Sequence, residues 1–357
     1  MRKLFPVIAV ALTVFAAACA KPAAGVYTLK SSELTLQVTD FGGRVMSLCA
    51  KDRDGNMENI VVGHKSVQEY VNPVGERFLG ASVGPVANRI GNAEFTLDGE
   101  TFRTPANDNG KNTLHGGFKG IDNIYWNVKS VSDSAISFSF VHPDLEEGFP
   151  GNLSVDVTYA LSGSDFTVSF TATTDKPTPV NLTHHPFFCL RGQGVDTLEP
   201  YVMWIKASHY IPIDSLSIPT GEIAPVEGTP FDFREPHTIG ERIGEDNIQL
   251  ANAHGYDHNW CLDKDTDGVE SVCYVWDPVS GRCIEVLTDQ KGLQVYSGNF
   301  FNGCEPGSNG KPLSFRSSIA LEAQGWPDAV NNPGFPSQIL RPGEQYTSTT
   351  IYRFSAK

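Results

Sequence analysis

Leu153-Ser154-Val155-Asp156-Val157-Thr158-Tyr159 alternates apolar and polar residues without a break. Successive side chains of an extended chain point to opposite faces, so this period of two describes a half-buried strand. The same pattern recurs on either side, in Ala135 to Phe140 and Phe166 to Ala172, and further out in Leu34 to Val38, Val272 to Trp276, Cys283 to Thr288, Leu293 to Ser297 and Tyr346 to Phe354. Turn dipeptides such as Asp54-Gly55 and Asp98-Gly99 separate such runs and suit hairpins. Only His64 to Val71 and Pro236 to Ile243 have room for a short helix. No internal repeat, low-complexity tract or linker interrupts the chain after Val26. The expectation is an all-β fold: one large antiparallel β structure over residues 26–357, with long loops that can carry a site.

Composition agrees with a folded, loop-rich chain. Of 357 residues, 40% are hydrophobic and 21 are Phe, enough for a sizeable core, while 34 Gly and 23 Pro supply turns. The formal net charge is −14, and no basic cluster is longer than Arg2-Lys3. A nucleic-acid binder needs a basic face to displace counterions, so no nucleic-acid partner is expected.

Residues 1–19 read as an export signal: the basic Arg2-Lys3, an apolar run from Leu4, then Phe15-Ala16-Ala17-Ala18-Cys19. The run is too short for a confident membrane span. Small residues before Cys19 resemble a bacterial lipoprotein processing site, which would leave a lipid anchor on Cys19. Ordinary cleavage at Ala18 or Ala20 would instead release a free periplasmic protein. Cys49, Cys189, Cys261, Cys273, Cys283 and Cys304 show neither C-x-x-C nor zinc-like spacing and read mostly as core fillers.

Polar residues cluster in the loops. Asn88-Arg89 follows a Gly/Pro-rich stretch, where the five-donor fork of Arg89 can grip a hydroxylated ligand, although a solvated arginine fits the same pattern. His115 precedes Gly116-Gly117, which permit close backbone approach or a plain turn. In Asn181-Leu182-Thr183-His184-His185-Pro186-Phe187-Phe188 the adjacent histidines point to opposite faces, so at most one lines a given pocket. Aromatics close by suit a sugar cleft, and two backbone-satisfied core histidines are the alternative. Asp257 and Glu322 lie among apolar and aromatic residues, surroundings that raise a carboxyl pKa. Glu322 follows Ile319-Ala320-Leu321 as a strand-borne acid, which points to function or else to a buried ion pair.

Together these segments resemble the aldose 1-epimerase (galactose mutarotase) family over nearly all of residues 28–354. The resemblance is carried by Val86 to Ile90, Leu114 to Gly117, Glu146 to Gly151, Pro179 to Phe188, Ile218 to Glu222, Gly255 to Asn259, Tyr296 to Phe300 and Leu321 to Asn331, in family order. It implies a large β-sandwich, often called a supersandwich, with an open sugar cleft. Glu322 matches the general base and His185 the general acid. His115 matches a second histidine near the ring oxygen, and Asn88, Arg89, Asp257 and Gln294 match positions that hold sugar hydroxyls. His184 stands where the family has Asn, Ala320 and Ala323 replace the Cys or Thr often found around the base, and Cys304 to Ser318 is unusual.

The implied function is anomer interconversion of an aldose such as glucose or galactose; the oligomeric state is not given by the sequence, and a monomer is the expectation. No cofactor is required for that chemistry. A loop-bound Ca²⁺ stays open, with no Asp-rich motif to locate one. Two rival functions also stay open. A glycoside hydrolase would need two carboxylates flanking the bond, for which Asp257 and Glu322 are the obvious pair. A sugar-binding module would bind without catalysis.

Overall fold

The alternating segment that opens the sequence reading lies inside a nine-stranded sheet. The computed structural model describes residues 24–194 and 197–357, so the expected export signal and Cys19 lie outside the described residues. The sheet runs in the order Asn127–Val131, Ala135–His142, Leu153–Ser162, Asp165–Thr174, Tyr346–Ala356, Arg282–Thr288, Glu270–Trp276, Val202–Ile205 and His237–Thr238. Its neighbouring strands all pair antiparallel. Val155, Val157 and Tyr159 are buried as the period of two requires, and the outer face is solvated, with Lys129 ion-paired to Asp156 at 2.9 Å.

Two smaller sheets share the apolar core with this face. One is four-stranded, built from Val26–Lys30, Thr35–Thr39, Val45–Lys51 and Met57–Asn59. The other is six-stranded, in the order Phe187–Phe188, Ile319–Gln324, Gly292–Tyr296, Asp257–Cys261, His209–Ile211 and Ala224–Pro225. Leu36, Val38 and Leu48 of the first, Trp260, Leu293, Val295 and Leu321 of the second, and Phe138, Val157, Phe166 and Ile284 of the large sheet join one apolar cluster. Each layer hides one face against another, which is how a β fold buries enough apolar surface without helices.

Turn chemistry follows the sequence. The hairpin joining Glu94–Leu97 to Glu100–Arg103 turns on Asp98 (φ 51°) and Gly99 (φ 86°), the left-handed pair that a tight hairpin needs. The two segments with room for a helix hold less helix than the sequence allowed. His64 to Val71 contains a helix only at Val67–Val71, and Pro236 to Ile243 contains only the 3₁₀ turn Ile239–Glu241. A six-residue helix at Ile248–Ala253 was not expected. Asn247 caps it by accepting the Gln249 N–H at 2.8 Å, and the exposed Ile248 hides its amphipathic pattern. The described cysteines are all free thiols, with Cys189, Cys261, Cys273 and Cys283 buried, Cys49 half-buried and Cys304 exposed.

Candidate active site

The solvent-facing side of the six-stranded sheet carries the polar residues. Along Asp257–Cys261, Trp260 points into the core, while Asp257 and Asn259 share the other face. Leu293 and Val295 enter the core and leave Gln294 outward; Leu321 and Ala323 do the same for Glu322. Registry then aligns them, because Asn259 pairs Gln294 and Gln294 pairs Glu322. Phe187 pairs Ala320 and Phe188 pairs Ile319, so the same register carried back along the chain sets His185 opposite Glu322. The Thr183 hydroxyl donates to Ala323 O at 2.7 Å and locks that alignment. The result is His185 Nε2 at 3.3 Å from Glu322 Oε1, with both residues at most 5% exposed.

Three loops close over this face. Arg89–Ile90 pairs Thr113–Leu114 and brings Asn88, Arg89 and His115 to the rim. Asp328 supports that loop by accepting the Gly91 N–H at 3.0 Å, and the Asp328 N–H donates to Arg89 O. The third loop, around Arg77 and Phe78, is anchored by Asp122. This fully buried carboxylate receives Arg77 Nε at 2.8 Å and Arg44 Nη2 at 3.3 Å, while Arg77 Nη1 donates to Gly117 O beside His115. A buried acid with two guanidinium partners is well compensated and ties the loops into one wall.

The hollow so formed holds about 450 Å³ of atom-free space including its mouth. Glu76, Phe78, Asn88, Arg89, His115, His185, Asp257, Tyr296, Phe300 and Glu322 line it. The residues singled out by sequence therefore meet, with Gln294 just behind: its Nε2 donates to Asp257 Oδ1 at 2.7 Å. Arg89 is braced by Asp108 (3.0 Å) and faces Asp257 (4.0 Å). Glu76, Phe78 and Asp108 were not anticipated. Glu76 and Phe78 sit in a loop with no periodic pattern, and nothing local in the sequence marks them as pocket residues.

His184 lies on the other side of its strand. Its ring packs among Tyr159, Phe166 and Tyr352, both ring nitrogens lack a hydrogen-bond partner, and burial holds its pKa down to about 3. It is a neutral core residue.

Burial also sets the protonation of the facing pair. It raises Glu322 well above the ordinary carboxyl range, helped by the Asp257 and Glu76 carboxylates and opposed by Arg89. It lowers His185 to about 3, with Arg44 adding to the effect. His115 is pushed well below 6.5 by burial, then by His185, Arg89 and Arg77. Burial thus favours the uncharged form of both groups, a carboxylic acid facing a neutral imidazole. His115, His185 and Glu322 also offer donor atoms within 4.8 Å of one another; a divalent cation there would occupy the lone pairs that acid–base chemistry needs.

Comparison with known proteins points one way. The aldose 1-epimerase family model matches residues 25–353. A galactose mutarotase from Rattus norvegicus is 42% identical over 329 residues, covering 92% of this chain and 93% of the relative. An aldose 1-epimerase from Escherichia coli is 36% identical over 327 residues, covering 91% and 93%. Among solved structures, an aldose epimerase homologue from C. elegans superposes with a TM-score of 0.86 at 28% identity, covering 94% of this chain and 99% of that one. A galactose 1-epimerase from Lactobacillus acidophilus gives 0.79 at 26% identity, covering 93% and 94%.

Proposed function

The chain belongs to the aldose 1-epimerase family and interconverts the α and β anomers of aldoses, and we propose that Glu322 and His185 are the base and acid of that reaction. The observation that carries this assignment is the 3.3 Å contact between His185 Nε2 and Glu322 Oε1 in the wall of the hollow. Mutarotation needs a proton removed from the anomeric hydroxyl and one delivered to the ring oxygen, two atoms bonded to the same carbon. An acid and a base side by side match that spacing.

In the ring-opening direction Glu322 takes the hydroxyl proton as His185 protonates the ring oxygen and the bond from C1 to that oxygen breaks. The aldehyde rotates about C1–C2, and the reverse transfers close the ring on the other face. Opening converts a carboxylate and an imidazolium into a carboxylic acid and an imidazole. The pair holds one proton before and after, so the buried site never changes its net charge. The ionic form from which opening starts is the one burial disfavours, and the two transfers return the pair to its neutral form. Each transfer is worth about 10²–10⁴-fold in rate.

Asn88, Arg89, Asp257 and Gln294 are assigned to sugar hydroxyls, and His115 to the neighbourhood of the ring oxygen. No step so written draws on a metal or cofactor. Polarimetry tests the assignment. Glu322→Gln should abolish catalysis while calorimetry still reads sugar binding close to that of the unaltered protein; near-normal mutarotation would remove Glu322 as base. We further infer, from residues 1–19 alone, that the protein is exported and processed at or near Cys19, which the mass of the mature N-terminal peptide would check.

A further inference from the structure

Glu76 is a third carboxylate in the hollow, beside Asp257 and Glu322, and the acid–base reaction gives it nothing to do. Its position is set by main-chain and buried partners. Glu76 Oε1 accepts the Phe78 N–H at 2.9 Å, and the Glu76 N–H donates to Glu305 Oε2 at 2.8 Å. Glu305 comes from the unusual Cys304 to Ser318 stretch, is 4% exposed, and places its other oxygen 3.2 Å from Nε2 of the equally buried His64. The approach is close: a Cβ on Gly75, which has φ +93°, would sit 2.5 Å from Glu305 Oε2. A second buried His–Glu pair therefore fastens the turn that carries Glu76 and Phe78. The Phe78 ring packs 4.6 Å from the His115 ring.

This leaves Glu76 Oε2 without a hydrogen-bond partner among the described residues, on a side chain that lines the sugar hollow. Capping the Phe78 N–H needs one oxygen and no charge. Glu76 is half-buried, so its Oε2 is open to water or to donors of a ligand, and Arg89 is the only Lys or Arg among the lining residues. Sugar hydroxyls are such donors. A sugar carboxylate would instead bring a further acidic group against Glu76 and Asp257.

We propose that Glu76, positioned by Glu305, accepts a hydroxyl of the bound sugar and makes the site select neutral aldoses over uronic acids. This rests on the mutarotase reading and adds to it a specificity-determining residue.

Glu76→Gln is the informative change. With Gln Oε1 held by the Phe78 N–H, the side chain turns its Nε2 into the hollow, replacing an acceptor by a donor without loosening the turn. The unaltered protein should favour galactose over galacturonate by at least about tenfold in kcat/KM. E76Q should raise KM for galactose about tenfold, the size of losing one charge-assisted hydrogen bond, with kcat within about threefold, and should narrow the galactose preference. Across a series of monodeoxy-galactoses, one member should bind both proteins equally and so identify the hydroxyl. Calorimetric Kd values for the same sugars read these differences even without turnover, so failure of the catalytic assignment stays separate. Unchanged galactose affinity in E76Q overturns the proposal. So does equal use of galacturonate by the unaltered protein, a result that needs no variant to fold.

Discussion

Asn88 and His115 hold each other by two hydrogen bonds. The His115 N–H donates to Asn88 O at 2.9 Å, and the Asn88 N–H donates to His115 Nδ1 at 3.1 Å. Because Nδ1 is an acceptor, the neutral ring of His115 carries its proton on Nε2 and presents a donor, the form suited to an oxygen of the sugar. Both residues pay for this clasp with left-handed backbone, φ 61° and 50°.

Asn88→Ala should therefore lose about 1–2 kcal/mol of stability relative to Asn88→Gly, since glycine adopts that conformation freely and alanine does not. Both variants should lose kcat/KM, because the Asn88 Oδ1 bond to the Arg89 N–H is gone in each. Urea unfolding of the two side by side is the check, and equal midpoints would show that the positive φ carries no cost.

His185→Asn should lower kcat at least about a hundredfold, the lower range for removing a general acid. His184→Asn should leave kcat close to that of the unaltered protein, because His184 faces Tyr159 and Tyr352 on the far side of the strand. Polarimetric rates at saturating aldose decide between them. A loss confined to the His184 variant would mean that the acid is the wrong one of the two.

His184 has a separate signature in stability. Its folded pKa of about 3 lies below the unfolded value near 6.5, so between these limits the unfolded chain binds the extra proton. Stability then falls as pH drops from about 6.5 towards 3, by up to about 1.4 kcal/mol per pH unit for this one group. His184→Asn should flatten the pH dependence by that amount. The difference between the two proteins isolates it from His142, held at about 4, and His258, at about 3, which act in the same direction. Urea midpoints at pH 4.5 and 7 provide the measurement.

Much of the sheet structure was legible because it rests on period two, which is local. Leu153 to Tyr159 and Cys283 to Thr288 needed no partner to be read as strands. The polar residues of the hollow were visible for a related reason: Glu322 is conspicuous because Leu321 and Ala323 on either side are apolar and buried. What sequence could not supply was registry. That His185 stands opposite Glu322 depends on Phe187 pairing Ala320, a relationship between positions more than a hundred residues apart. Glu76 went unseen for the opposite reason. Its surroundings in the chain are an ordinary turn, and Glu305, brought in from a distant loop, helps to fix its place.

The strand Tyr346–Ala356 lies between Asp165–Thr174 and Arg282–Thr288, in the middle of the large sheet, and its Tyr352 hydroxyl donates to Leu321 O beside the base. On a growing polypeptide the two halves of that sheet have no shared edge until residues 346–356 have emerged from the ribosome. Closure of the large sheet therefore waits until its other eight strands have already been made.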